Sequence, residues 1–319
     1  MPSATDLRRA PPAAALAALR DALLPGGRVG PVRRLSGGLD HGMHALDLIA
    51  ADGARRRLVL RRYPDERLRR RPDAAEREYR VLSLLGELGL PAPRPVWLDA
   101  AGALLGQPAL VTTRLPGRAL IAPADLADWT AQLGRTLVAL HTAPLHGRDV
   151  GFLEDPGWIA EYVRRGPPAA DVAAHSDGAR VWSAVRHLWP GISLTTPALV
   201  HGDYWAGNTL WRRGRLVGVV DWGGCTVGDP GWDVCCCRVD LAMLIGPEAP
   251  DLFLQAYERA LGRAVPHLAF WDLVGVTAAL PDPARWLPGY QDLGRTDLTP
   301  ELMRARLRAF VADALARAR

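Results

Sequence analysis

At 319 residues, with 49% hydrophobic and 23% charged residues, the chain has the make-up of a soluble globular protein larger than one ordinary core. That balance excludes a disordered chain, and no apolar run approaches the roughly 20 residues that cross a bilayer, so no membrane partner is expected. The net charge is +5 and all 39 basic residues are arginine, so any task usually given to lysine falls here to arginine.

The charge is uneven: the first 115 residues hold 19 arginines against 12 acids, the remainder 20 against 22. A basic first third suits a polyanion, whether nucleic acid or nucleotide phosphates, or a solvated face. The opening "LRRAPPAAALAALRDALLPGG" does not read as an export leader. Arg20 and Asp21 break its apolar stretch, while Leu16, Leu19 and Leu23 recur at helical spacing. A short amphipathic helix with Pro11 or Pro12 near its start is predicted. The four cysteines, Cys225 and the run Cys235–Cys237, contain no CxxC pair and read as buried thiols of a reducing cytoplasm, the expected location.

"VRRLSGGLDHGMHALDLIAADGARRRLVLRRY" predicts a three-stranded meander: a strand, a glycine turn, an alternating strand from Ala45 to Ile49, a turn at Asp52-Gly53, then Leu58 to Leu60. His41 and His44 flank the glycine turn without a third ligand, so no metal site is expected there. "DAAEREYRVLSLLGELGL" predicts a helix with Glu78 on the same face as Leu82 and Leu85, and an acid on an apolar face needs a partner. "PAPRPVWLDAAGALLGQPALVTTRL" supplies two further strands.

From about residue 116 the pattern turns helical. Leu126, Trp129, Leu133, Leu137 and Leu140 form one stripe, with Pro123 expected near the helix start and His141 at its end. A hairpin follows, "NTLW", a turn at Arg213-Gly214, then "RLVGVVDW". In "GDPGWDVCCCRVDLAMLI" Asp229 is the expected N-cap and Pro230 the first helical residue; this helix is apolar nearly all round and should lie mid-lobe. Residues 281–300 read as loops within a helical remainder.

The chemistry concentrates in "LVHGDYWAGNTLW" and "RLVGVVDW". Asp203 and Asn208 stand five residues apart after one apolar strand, and Asp221 follows Asp203 by eighteen residues at the end of another. Together with "GDPGWD", "LSGGLDHGMH" and "LVLRRY", these segments resemble the aminoglycoside phosphotransferase family, small-molecule O-phosphotransferases of protein-kinase-like fold, over roughly residues 30–260.

The resemblance implies an α+β bilobal fold: a small antiparallel-sheet N-lobe over residues 1–115 and a larger, mainly helical C-lobe over 116–319. It implies ATP- and Mg²⁺-dependent transfer of the γ-phosphoryl group to a hydroxyl of a small molecule. The acceptor could be an aminoglycoside or other antibiotic, which would make antibiotic resistance its setting, or a metabolite such as an amino alcohol or sugar. Asp203 would orient the hydroxyl and take its proton, and Asn208 and Asp221 would supply hard oxygen ligands to Mg²⁺.

The family's usual strand lysine is missing. "LVLRRY" offers Arg61 or Arg62, of which only one can face the cleft; the motif matches Arg61, with Glu78 as partner. Gly37 and Gly38 would expose backbone N–H groups to phosphates, the backbone of Thr113 and Leu115 would bind adenine, and His201, Asp229 and Asp233 would brace the site. The acceptor site is expected near residues 155–190 and the C-terminal helices, with Trp158, Trp182, Trp271 and Trp286 as candidate lining residues.

The alternative reading is a nucleotide-binding pseudokinase that regulates a partner. A nucleic-acid partner is not expected, because Arg55–Arg57 and Arg67–Arg71 lack interleaved aromatics apart from Tyr63. The sequence leaves the oligomeric state open.

Overall fold

The computed structural model describes residues 4–35, 42–153, 158–195 and 197–318. Gly37 and Gly38, expected over the phosphates, and His41 lie outside the described residues. The chain divides into two compact units, Met1–Gly117 with Val217–Gly223, and Arg118–Leu216 with Gly224–Arg319. The first ends two residues beyond the division expected from sequence and takes in the "VGVVDWG" segment, which sequence alone assigns to the second.

In the first unit, helices α1 (Ala4–Leu7) and α2 (Ala13–Leu23) precede strands β1 (Arg28–Arg34), β2 (Gly42–Ile49) and β3 (Arg55–Arg62). Helices α3 (Asp65–Arg70) and α4 (Ala74–Glu87) follow, then β4 (Pro95–Asp99) and β5 (Ala109–Thr113). The strands form one sheet in the order β1-β2-β3-β5-β4, with every pair antiparallel. Pro12 caps α2 as the amphipathic reading requires, and Leu19 is buried against Leu46, Leu48, Leu58 and Leu60. Because neighbours on a strand alternate, Arg61 projects from the opposite face to Leu58 and Leu60. In register, Arg61 stands opposite Met43 on β2 and Leu110 on β5, in the centre of the sheet.

In the second unit, β6 (Arg118–Ala119) leads to α5 (Leu126–His141), α6 (Trp158–Arg165), α7 (Ala169–Ala174) and α8 (Gly178–Leu188). Strands β7 (Ala198–Val200), β8 (Thr209–Arg212), β9 (Arg215–Val219, running on into the first unit) and β10 (Thr226–Gly228) follow. Then come α9 (Gly231–Leu244), α10 (Glu248–Leu261), α11 (Leu268–Ala278), α12 (Leu287–Asp292) and α13 (Pro300–Arg317). β7 pairs with β10 and β8 with β6, all antiparallel. The make-up is α+β, as expected.

α9 is the core helix. Twelve of its residues are buried, including Cys235, Cys237 and Met243, and Arg238 is buried in a bidentate pair with Asp272 of α11 at 2.8 and 3.0 Å. α5 and α10 approach closely where a Cβ on Gly134 would lie 2.8 Å from Tyr257 N.

α5 is capped by Asp125, whose carboxylate accepts from Asp128 N, and Pro123 lies two residues before that cap, near the helix start as expected. Two local expectations are corrected. Pro230, not Asp229, is the N-cap of α9, although Asp229 accepts from Gly231 N at 2.8 Å and so still caps through its side chain. Residues 281–300 are not all loop: Asp282 accepts from Ala284 N to start a 3₁₀ turn that runs into α12.

Candidate active site

Each unit carries part of the expected constellation. In the second, β7 ends at Val200 and the chain turns sharply through His201 and Gly202 into the loop bearing Asp203. Gly202 has φ +85, and a Cβ there would lie 2.3 Å from Gly224 O, so only glycine permits the turn. Asp233, wholly buried on the first turn of α9, accepts from His201 N at 2.6 Å and Gly202 N at 2.9 Å. His141 Nε2 lies 3.2 Å from the same carboxylate and its Nδ1 lies 2.7 Å from Tyr257 Oη. A carboxylate only accepts, so His141 donates to it from Nε2, while Nδ1 pairs with the Tyr257 hydroxyl. His141 is therefore no mere helix-end histidine; it anchors the loop's buried acid.

His201 is fully buried and its Nδ1 accepts from Asp203 N at 3.2 Å. Asp229 accepts from Thr195 N at 2.7 Å and Thr195 Oγ1 at 3.0 Å, tying the approach to β7 onto the start of α9. Asp203 itself faces solvent. Asn208 Nδ2 donates to Asp203 O at 2.9 Å and Asp203 Oδ2 at 3.0 Å. With its nitrogen so engaged, the Asn208 carbonyl oxygen accepts no hydrogen bond among the described residues.

In the first unit Arg61 lies between two acids. Its Nη1 donates to Glu78 Oε1 and its Nη2 to Asp221 Oδ1, both at 2.7 Å. Arg62 instead faces the N-terminal segment and donates to Leu7 O and Arg9 O. Burial alone would lower the Arg61 pKa, but Glu78 and Asp221 together outweigh it and hold the guanidinium above its ordinary value. Tyr63 completes the cluster: its hydroxyl donates to Glu78 Oε2 at 2.7 Å, its ring lies 5.5 Å under the Arg61 guanidinium, and burial and the Glu78 charge raise its pKa well above the usual phenol. Asp221 keeps 44% of its side chain exposed and has φ +66. A non-glycine residue in that region is strained, as ligand-handling positions commonly are.

Mg²⁺ binds hard oxygen donors and keeps several positions for phosphate and water. The exposed carboxylate of Asp221 in the first unit and the uncommitted carbonyl oxygen of Asn208 in the second are each, taken singly, a donor of that kind. Among the described residues no group of three or more His, Cys, Asp or Glu side chains is arranged to hold a metal ion.

Other expectations fare differently. Thr113 N is spent on Arg94 O at 2.9 Å, so its amide cannot donate to an adenine, whereas Leu115 lies beyond the end of β5. Trp182 and Trp271 are 6% and 1% exposed and belong to the core. Trp158 packs edge-on against Trp232 at 4.8 Å and, with Glu161 and Tyr162, borders a depression of ≈ 710 Å³. Sequence reasoning missed Tyr63, the His141–Tyr257 pair and the buried Asp240, which Tyr290 hydrogen-bonds. Only Asp240 carried a signal, as one of the few charged residues of a largely apolar helix.

The model of the phosphotransferase enzyme family matches residues 38–274. The chain belongs to that family. Among curated relatives, acyl-CoA dehydrogenase family member 11 of Pongo abelii is 23% identical over 188 residues, 54% of this chain and 24% of that protein. A homoserine kinase of Beijerinckia indica is 30% identical over 169 residues, 49% of this chain and 50% of its own. The chain thus spans about a quarter of the first relative and half of the second. A solved structure of a thermostable variant of the aminoglycoside phosphotransferase APH(4)-Ia, in complex with ADP and hygromycin B, matches 93% of this chain and 97% of its own. Its TM-score is 0.57 at 17% identity, a likeness of fold.

Proposed function

We propose that this family member is an ATP- and Mg²⁺-dependent O-phosphotransferase that phosphorylates a hydroxyl of a small molecule in the cytoplasm. The observation that carries the reading is the buried Arg61 gripping Glu78 and Asp221 together. Folding alone does not favour burying such a charge cluster, whereas a nucleotide site needs a fixed cation beside a metal-binding carboxylate. The ADP held by the APH(4)-Ia neighbour lends the nucleotide its support, and the free thiols suit a reducing cytoplasm.

Asn208 and Asp221 would be the protein ligands of magnesium, which would supply positive charge to offset that of the phosphates. Arg61, braced by Glu78 and Tyr63, supplies the fixed positive charge beside the phosphates in place of the family's lysine, with the N–H groups that its two carboxylate partners leave over. The backbone at Leu115 receives adenine. Asp203 orients the acceptor hydroxyl and accepts its proton as the oxygen attacks, while the Asn208 amide holds that carboxylate in place. His201, Asp229, Asp233 and His141 keep the loop rigid, which matters because transfer depends on positioning more than on covalent help.

The acceptor is a small hydroxylated molecule; homoserine kinase and the hygromycin-bound neighbour define the range to test. ADP release from purified protein given Mg-ATP and, in turn, aminoglycosides, macrolides, amino alcohols and sugars decides the matter. Release that requires both an acceptor and Mg²⁺ supports the reading. Nucleotide binding without ADP release from any of them favours the pseudokinase.

A further inference from the structure

Arg67 lies on α3, in "PDERLRRR", outside every motif that marks the family resemblance. Its Nη2 donates to Gly223 O at 3.0 Å, two residues beyond Asp221. A Cβ built on Gly223 would lie 3.3 Å from Arg67 Nη2, 3.5 Å from Glu78 Oε2 and 3.8 Å from Arg61 Nη2. Two guanidinium groups and the acid that braces one of them therefore border a single backbone position that carries no side chain.

The two arginines differ in how their charge is met. Arg61 is matched by two carboxylates. Arg67 forms no ion pair among the described residues; its Nε, one of several buried arginine Nε atoms without a hydrogen-bond partner, does not set it apart, but the missing counter-charge does. A buried N–H with nothing to accept from it is costly, and a cation left unmatched beside a phosphate-facing cluster draws an anion. A guanidinium's adjacent N–H groups match two oxygens of one phosphate. Arg61 stays largely committed to Glu78, so polyphosphate needs a second source of positive charge, and in a chain without lysine that source is an arginine.

We propose that Arg67 is a second phosphate-binding residue of the nucleotide site, donating from its guanidinium to the terminal phosphates while Arg61 remains braced by Glu78. This rests on the reading of the Asp221 region as a nucleotide site. An Arg67 that only anchored the Gly223 carbonyl would give the nucleotide's phosphates no contact of their own.

Binding of ATP, ADP, adenosine and inorganic tripolyphosphate to the wild-type chain and to Arg67→Ala, Arg67→Gln and Arg67→Lys, each with its thermal midpoint, separates the two. A phosphate contact predicts that Arg67→Ala and Arg67→Gln weaken ATP, ADP and tripolyphosphate by about 10- to 100-fold. Adenosine should stay within about twofold, and Arg67→Lys should recover part of the loss because it keeps charge without the fork. Equal weakening of adenosine and ATP, or ATP affinity unchanged in all three variants, overturns the assignment while leaving the wider function standing. A wild-type chain that binds none of the nucleotides overturns the nucleotide site itself.

Discussion

Arg61 and Asp221, 160 residues apart in sequence, meet at 2.7 Å, and the same guanidinium holds Glu78 with its other terminal nitrogen. A lysine ammonium is a point charge on a flexible stem and cannot offer two carboxylates a planar fork. The arginine-only composition thus has a structural consequence here: one side chain links β3, α4 and the segment that follows β9.

Arg61→Ala should be costly to stability as well as to nucleotide binding. It leaves Glu78, whose side chain is 5% exposed, without its counter-charge, a situation that typically costs about 3–5 kcal/mol. Urea unfolding should show a loss of that order for Arg61→Ala and a smaller one for Arg61→Lys. Equal stability of Arg61→Ala and wild type would mean that the pair is solvated.

Asp233→Ala should be among the most disruptive single changes in the second unit. Its buried carboxylate receives two loop N–H groups and His141, and their burial unpaired predicts a loss of about 3 kcal/mol or more. Thermal unfolding checks the stability, and limited proteolysis near residues 201–208 reports whether the loop has lost its anchor. A variant with wild-type midpoint and protection would refute the brace.

Asp240 links pH to stability. Burial pushes its carboxyl up to about 7, the Tyr290 hydrogen bond partly opposes this, and the Asp203 charge adds to it. A folded-state pKa above the unfolded value of 3.8 means that the native state holds the proton longer, so this contribution is full below 3.8 and fades as pH rises to about 7. Asp240→Asn should flatten the stability profile across that window, and Tyr290→Phe should move its upper limit higher. Denaturation midpoints measured from pH 4 to 8 test both; an Asp240→Asn profile parallel to wild type would contradict the assignment.

What the sequence made legible follows from what periodicity encodes. Alternation and turn glycines marked the meander, and the misfit of Glu78 on an apolar helix face called for a buried partner. The apolar circumference of α9 likewise placed it mid-core. Three-dimensional pairings were not legible. His141 and Tyr257 lie 116 residues apart, and nothing in either neighbourhood marks them as joint supports of Asp233. Helix starts slipped by a residue or two because a carboxylate can cap from just outside the helix, as Asp229 does at Gly231 N. Arg67 was legible only as part of the basic run Arg67–Arg71, because one arginine within such a run resembles any solvated charge.

The division of labour between binding and transfer is tested most directly by Asp203→Asn, assayed for Mg-ATP affinity and for phosphoryl transfer to an acceptor that wild type turns over. The account predicts ATP affinity within about twofold of wild type and a transfer rate reduced by about 10²- to 10⁴-fold, the usual yield of a positioned general base. Transfer within a factor of about ten of wild type, at matched nucleotide occupancy, would contradict it.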